Sequence, residues 1–269
     1  RPVSRPGPRG GPESAVPGAE RWYGDRDAEP TLRLGISACL LGEAVRFDGG
    51  HKRDAFLVQT LGRWVDWYPL CPEVEIGLGT PRPSLRLVGE PAAPRLVVTK
   101  TGEDHTRAMA GWSRDQMERI EGWRLHGFVL KRDSPSCGLF RVRVYDEGGM
   151  PRREGRGLFA ATLAQRFPLL PLEEEGRLND PALRENFIER VFAYERWHRM
   201  LERDPTPAGL VAFHTAHKLT LMAHAPDAAR DLGRLVAEAG VRPFDELSRE
   251  YGRALFDALG QLASRGRHA

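Results

Sequence analysis

The residues of this sequence best suited to chemistry are its three cysteines, Cys39, Cys71 and Cys137. Three thiols cannot pair completely and no CxxC pair is present, which argues against a secreted disulfide scaffold. Free or metal-bound thiols are typical of a reducing compartment, so we predict a cytoplasmic protein. Thiolates bind zinc or iron–sulfur clusters, whereas an isolated buried cysteine packs as a small hydrophobe. The residue types alone leave these three roles open.

Each cysteine follows a predicted β-strand. Apolar runs predict strands at 32–38, 65–70 and 128–131; Cys39 and Cys71 follow the first two directly, and Cys137 follows the third after a short loop. In open α/β sheets, ligands bind outside the carboxyl ends of the strands. We therefore expect the three thiols to meet at one sheet edge. Three thiolates would leave one iron of a cubane cluster without a protein ligand, since such clusters normally have four.

The elements that must position these thiols predict two domains. Further strands are predicted at 85–88, 96–99 and 140–145, and helical spacing of apolar residues recurs over 107–125 and 157–167. This alternation predicts a Rossmann-like, mostly parallel α/β domain over 31–175. The acidic stretch 171–181 is predicted to be a boundary, and 182–269 is predicted to be an all-α domain of four helices. Residues 1–30, rich in Pro and Gly, are predicted to be a disordered tail.

Composition excludes several classes of function. Hydrophobic residues make up 41% of the chain and charged residues 29%, as in ordinary globular proteins. No apolar run reaches the roughly 18 residues of a membrane span, so we predict no membrane partner. A net charge of +3 gives no general indication of nucleic-acid binding. The oligomeric state does not follow from the sequence.

The segments around the cysteines resemble a known family. ISACLLGEAVRFDGGHK (36–52), CPEVEIGLGTPR (71–82) and LKRDSPSCG (130–138) are similar to the signature blocks of the thiouracil desulfidase-like family. The resemblance implies a [4Fe–4S] cluster on Cys39, Cys71 and Cys137. It also implies an enzyme that removes sulfur from a thiocarbonyl and releases hydrosulfide. The expected substrate is a thiouracil-like nucleobase or related thioamide, with thiolated tRNA as a further candidate partner.

Replacement of C=S by C=O requires a base that activates water. Glu73 lies two residues after Cys71 and is our candidate for this catalytic base. Glu75 is the alternative if the loop turns the other way, and a solvated loop glutamate is the ordinary role for either residue.

Four more polar residues are candidates for the site. Ser134 and Ser136 flank Pro135 before Cys137, and we expect both hydroxyls to face the cavity, Ser134 in catalysis and Ser136 in substrate binding. Turn capping is the common alternative for serine. Asp48 and Lys52 are candidate substrate contacts, and a structural ion pair is the alternative for them.

The helical region, from about 187 to 268, resembles the YbgA-like domain, a family of unknown function, most strongly over 212–226. That domain normally continues further, so we expect it to be incomplete here. His214, His217 and His224 are spaced so that they could line one helix stripe and bind a metal. Contacts with solvent or with the first domain are the simpler alternative.

Two other functions compete with a desulfidase. The chain could be a non-catalytic module that binds nucleic acid or a protein partner, with a structural zinc on the three cysteines. It could also be an enzyme that uses a zinc-bound water for hydrolysis.

Overall fold

The computed structural model describes residues 32–263. The N-terminal part of this range forms two separate β-sheets. The first sheet is parallel, with spatial order β2 (Val65–Leu70), β1 (Leu32–Ser37), β5 (Gly127–Leu130) and β8 (Leu172–Glu174). The second has the order β4 (Arg95–Val98), β3 (Leu85–Val88), β6 (Val142–Tyr145) and β7 (Pro151–Gly155). The tail predicted over 1–30 lies outside the described residues.

The two central strands of the parallel sheet, β1 and β5, are buried along nearly their whole length. Strands covered on both faces read as continuous apolar runs, which is why the sequence pattern located them. Gly35 permits their close approach, because a Cβ at this position would lie 2.2 Å from the Phe128 ring.

Helices cover both faces of this sheet. On one face, α1 (Thr106–Trp123) and α2 (Leu158–Arg166) pack through Phe159, whose ring centroid lies 5.9 Å from that of Phe128 and 5.7 Å from that of Trp112. Alternate strand residues point to the opposite face. There Phe187 and Val191 of α3 (Pro181–Arg203) share one hydrophobic core with β1. The first helix of the helical region therefore packs directly on the sheet.

The second sheet was not predicted as a separate layer. β3 pairs in parallel with β6, whereas β3–β4 and β6–β7 are antiparallel. β7 was not predicted because its residues are exposed except at Gly155 and include three charged side chains, with no large apolar residue. Such an edge strand has no apolar alternation to detect.

The remainder of the described chain is helical. After α3 come α4 (Pro207–His224), α5 (Pro226–Ala237) and α6 (Phe244–Leu259). Asp180 caps α3 by accepting from the Ala182 amide, and Thr206 caps α4 by accepting from the Gly209 amide. The prediction of a parallel α/β domain followed by an all-α region is confirmed. Between residues 32 and 263, no helix combines the length and the apolarity needed to cross a bilayer.

Candidate functional site

The three thiols line one cavity of about 350 Å³ at the carboxyl edge of the parallel sheet. Cys39 lies in a 3₁₀ turn directly after β1, Cys71 directly follows β2, and Cys137 lies in the loop after β5. These strands are neighbours and run parallel, so their carboxyl ends lie at the same edge of the sheet. The expected convergence of the three cysteines is thus present in the structure.

The loop that carries Cys137 is held by its own serine. Ser134 Oγ accepts from the amides of Ser136 and Cys137, at 3.2 and 3.0 Å, and the residue also lines the cavity. Gly157 allows α2 to begin beside this loop, because a Cβ there would lie 2.4 Å from the Ser136 carbonyl oxygen. Ser134 therefore combines the turn-capping role with a place at the cavity wall.

Burial dominates the electrostatics of the thiols. It raises the pKa of Cys39 to about 11, with the neighbouring Cys71 adding to the effect. Burial likewise raises the pKa of Cys71, and that of Cys137 well above its ordinary value. A hydrogen bond from the Ser37 hydroxyl opposes the shift at Cys137. Ser37 is buried at the end of β1, where its Oγ accepts from the Lys131 amide at 2.9 Å. No motif or spacing in the sequence predicts this role for Ser37.

Glu73 lies in a polar network at the cavity wall. Its Oε2 accepts from Arg82 Nε at 3.0 Å and from Nη2 at 2.5 Å, and its Oε1 accepts from Ser136 Oγ at 2.9 Å. Arg82 also donates to the carbonyls of Val45 and Gly79, so it ties two cavity loops together. Arg82 is the last residue of the second signature block, and that position is the only feature of the sequence that pointed to a role for it.

The remaining candidates occupy different places. Lys52 lines the cavity, whereas Asp48 is outside the cavity lining and binds Arg46, which does line it. Ser136 is fully buried behind the wall and reaches the cavity through Glu73. Glu75 is outside the cavity lining and pairs with Arg119 at 3.1 Å.

The three histidines of α4 have separate partners. His214 Nδ1 lies 3.1 Å from the Tyr251 hydroxyl, and His217 Nδ1 lies 2.9 Å from the Phe213 carbonyl oxygen. His224 Nε2 lies 2.9 Å from Glu189 Oε2. Within residues 32–263, no group of three His, Cys, Asp or Glu side chains could hold a metal ion as placed. Each of the three histidines has a hydrogen-bond partner within the helical region.

The cavity fits the donor requirements of an iron–sulfur cluster. Three thiols without disulfide partners face one space, and thiolates are the ordinary ligands of such clusters. Each thiolate of a cubane binds a different iron, so the thiols need to share a cavity rather than a single ion. Lys131 and Arg46 carry positive charge close enough to Cys39 to favour its thiolate.

Comparison with known proteins places this site in a family. The 2-thiouracil desulfurase family profile matches residues 34–175, which is more than half of the chain and includes all three cysteines. The chain belongs to this family. A second profile, a protein of unknown function (DUF1722), matches residues 218–269, in the region expected to be YbgA-like.

Two relatives of the desulfurase-family region are informative. The uncharacterized protein YbbK of Bacillus subtilis (strain 168) is 28% identical over 138 residues, which cover 48% of this chain and 88% of that protein. The solved [4Fe-4S]-dependent thiouracil desulfidase TudS is 30% identical, with a TM-score of 0.46, and the match covers 55% of this chain and 94% of that one.

Proposed function

We propose that this chain is an iron–sulfur-dependent desulfidase that converts the C=S group of a thiouracil-like nucleobase or related thioamide into C=O. Water supplies the oxygen, and the sulfur leaves as hydrosulfide with one proton released. The observation that carries the proposal is the convergence of three thiols and the Glu73 carboxylate on one cavity. Family membership and the 30% identity to a [4Fe-4S]-dependent thiouracil desulfidase support the type of reaction.

Cys39, Cys71 and Cys137 would hold the cluster. The sequence contains three cysteines in total, so one iron of a cubane would carry no cysteine. When bound, the cluster supplies a soft Lewis acid at that iron, which suits a thiocarbonyl sulfur. The three free cysteines also support our proposal of a cytoplasmic location.

Glu73 is the proposed proton acceptor for the attacking water. Arg82 and Ser136 each hold one of its carboxylate oxygens, so the side chain has a fixed direction at the cavity wall. Its side chain is 13% exposed, which limits access of bulk water. A carboxylate held in this way can take a proton from water and return it to the substrate nitrogen or to the leaving sulfur.

Ser134 and Lys52 are the proposed substrate contacts. Both line the cavity, and the Ser134 hydroxyl proton is available because its oxygen already accepts from two amides. That proton can be donated to a ring carbonyl of the substrate. Asp48 would act by orienting Arg46 at the cavity wall, and Ser136 by orienting Glu73.

The test is anaerobic reconstitution with iron and sulfide, followed by incubation with 2-thiouracil. We expect a brown protein with broad absorption at about 400 nm, as iron–sulfur charge transfer gives. We also expect this protein to form uracil and hydrosulfide from 2-thiouracil. Cys39→Ala, Cys71→Ala and Cys137→Ala should each lower the iron bound per chain and abolish turnover. Stoichiometric zinc without iron would contradict the proposal and favour the structural-zinc alternative.

A further inference from the structure

Two carboxylates at the end of β8 bind the loop that carries Cys137. Glu174 Oε1 accepts from the amides of Leu139 and Phe140, at 2.8 and 3.0 Å. These amides belong to the second and third residues after Cys137. Glu174 is only 2% exposed, and its bond to the Leu139 amide is buried.

The adjacent carboxylate binds the other end of the same loop. Glu175 Oε2 accepts from the Arg132 amide at 2.7 Å, and its Oε1 pairs with Lys131 Nζ. Glu174, the last residue of β8, and Glu175, which follows it, thus hold the two ends of the segment 131–140. Ser134, Ser136 and Cys137 all lie between these two attachment points.

The burial of Glu174 indicates a specific task. A buried carboxylate is costly unless hydrogen bonds compensate for its lost hydration. Here the compensating donors are two backbone amides of one loop, 34 and 35 residues away in sequence. A carboxylate that accepts from consecutive amides fixes backbone position more tightly than a single neutral bond.

We propose that Glu174 and Glu175 are positioning residues that hold the 131–140 loop, and with it the Cys137 thiol, in the geometry needed for metal binding. The metal-binding part of this inference rests on the function proposed above. The acidic segment that the sequence suggested to be a domain boundary is, in this view, part of the support of the site.

A neighbouring glutamate provides a matched control. Glu173 is 3% exposed and lies on the same strand, but its Oε1 accepts from Arg177 Nε at 2.7 Å and from the Glu174 amide at 2.9 Å, and not from the loop. Glu173→Gln changes a buried carboxylate of β8 without touching the loop amides. Glu174→Gln keeps an acceptor oxygen for the two amides, whereas Glu174→Asp keeps the charge and shortens the side chain by one methylene.

The experiment uses the full chain without cluster and measures two local quantities. These are the hydrogen-exchange rates of the Leu139 and Phe140 amides, and the alkylation rate of each cysteine by iodoacetamide, resolved by mass spectrometry. We expect Glu174→Asp to accelerate amide exchange and Cys137 alkylation at least about tenfold, because the loop opens more often. The alkylation rates of Cys39 and Cys71 should change less, and Glu174→Gln should keep most of the protection of the amides and of Cys137.

Iron loading then links position to metal binding. After reconstitution, we expect the iron content to decrease in the order wild type, Glu174→Gln, Glu174→Asp, with Glu173→Gln equal to wild type. The proposal is overturned if Glu174→Asp leaves Cys137 protection and iron loading unchanged, or if Glu173→Gln exposes Cys137 equally. A chain with the expected pattern that leaves 2-thiouracil intact would refute the desulfidase proposal and retain the positioning role.

Discussion

Replacing Glu73 by Gln removes the proposed proton acceptor while changing little of the side-chain shape. General acid–base catalysis contributes about 10²- to 10⁴-fold to a rate, so we expect turnover of 2-thiouracil to fall by that factor. Such a loss corresponds to roughly 3–5 kcal/mol of transition-state stabilisation.

The structural cost of this change should be smaller. The Arg82 side chain is 3% exposed and would lose its charged partner. It keeps its hydrogen bonds to the carbonyls of Val45 and Gly79, and the amide oxygen of a glutamine can still accept from it. We therefore expect a decrease of about 2 kcal/mol in the free energy of unfolding, below the 3–5 kcal/mol of a buried charge left unpaired.

Glu75→Gln is the matched control, because it makes the same chemical change two residues further on. Glu75 pairs with the half-exposed Arg119 outside the cavity lining, and surface pairs of this kind contribute at most about 1 kcal/mol. Turnover in this variant should equal that of the wild type. Rates are measured anaerobically from uracil formation, with hydrosulfide determined in parallel and normalised to iron per chain.

Two outcomes would refute the reasoning about Glu73. A fully iron-loaded Glu73→Gln enzyme whose turnover is within about threefold of wild type would show that the carboxylate is not the base, since a base should contribute far more. Loss of iron in Glu73→Gln, with normal turnover per remaining cluster, would instead assign Glu73 to cluster retention.

Two further predictions concern stability. Burial, assisted by the charge of Arg33, lowers the pKa of His126 to about 4 in the folded chain. Between about pH 6.5 and pH 4 the unfolded chain therefore binds a proton that the folded chain does not, and the free energy of unfolding decreases as the pH falls through this range. Urea unfolding at pH 7.5 and pH 5 measures this decrease in the free energy of unfolding. We expect it to be smaller by about 2 kcal/mol in His126→Gln than in the wild type, and equal decreases in the two proteins would contradict this assignment. Gly127→Ala places a Cβ 2.9 Å from Val191 Cγ2 and should destabilise the chain by about 1–3 kcal/mol through displacement of α3. Gly111→Ala in the open part of α1 should instead stabilise it by about 0.5–1 kcal/mol, and the reverse order of the two melting temperatures would refute the packing argument.

The sequence by itself determined three of the four strands of the parallel sheet, β1, β2 and β5, and the placement of the cysteines after them. The fourth strand, β8, lies in the stretch that was predicted to be a domain boundary. Residues 65–70 and 85–88 were predicted with the boundaries that the structure has. Apolar runs and helical spacing are local signals, so they can be read without knowing the fold. The alternation of strands and helices predicts parallel strands, and the common edge for Cys39, Cys71 and Cys137 follows from that parallel direction.

Only the tertiary structure decided how the polar residues are used. Ser136 meets Glu73 across 63 positions of sequence, and Glu174 meets the Cys137 loop across about half that separation. Glu73 and Glu75 look alike in sequence, yet one lines the cavity and the other pairs with Arg119. A hydrogen-bond partner distant in sequence leaves no periodic trace, because it depends on the packing of whole elements. The meeting of the three cysteines can therefore be predicted from the sequence, whereas the hydrogen-bond network around them can be identified only from the tertiary structure.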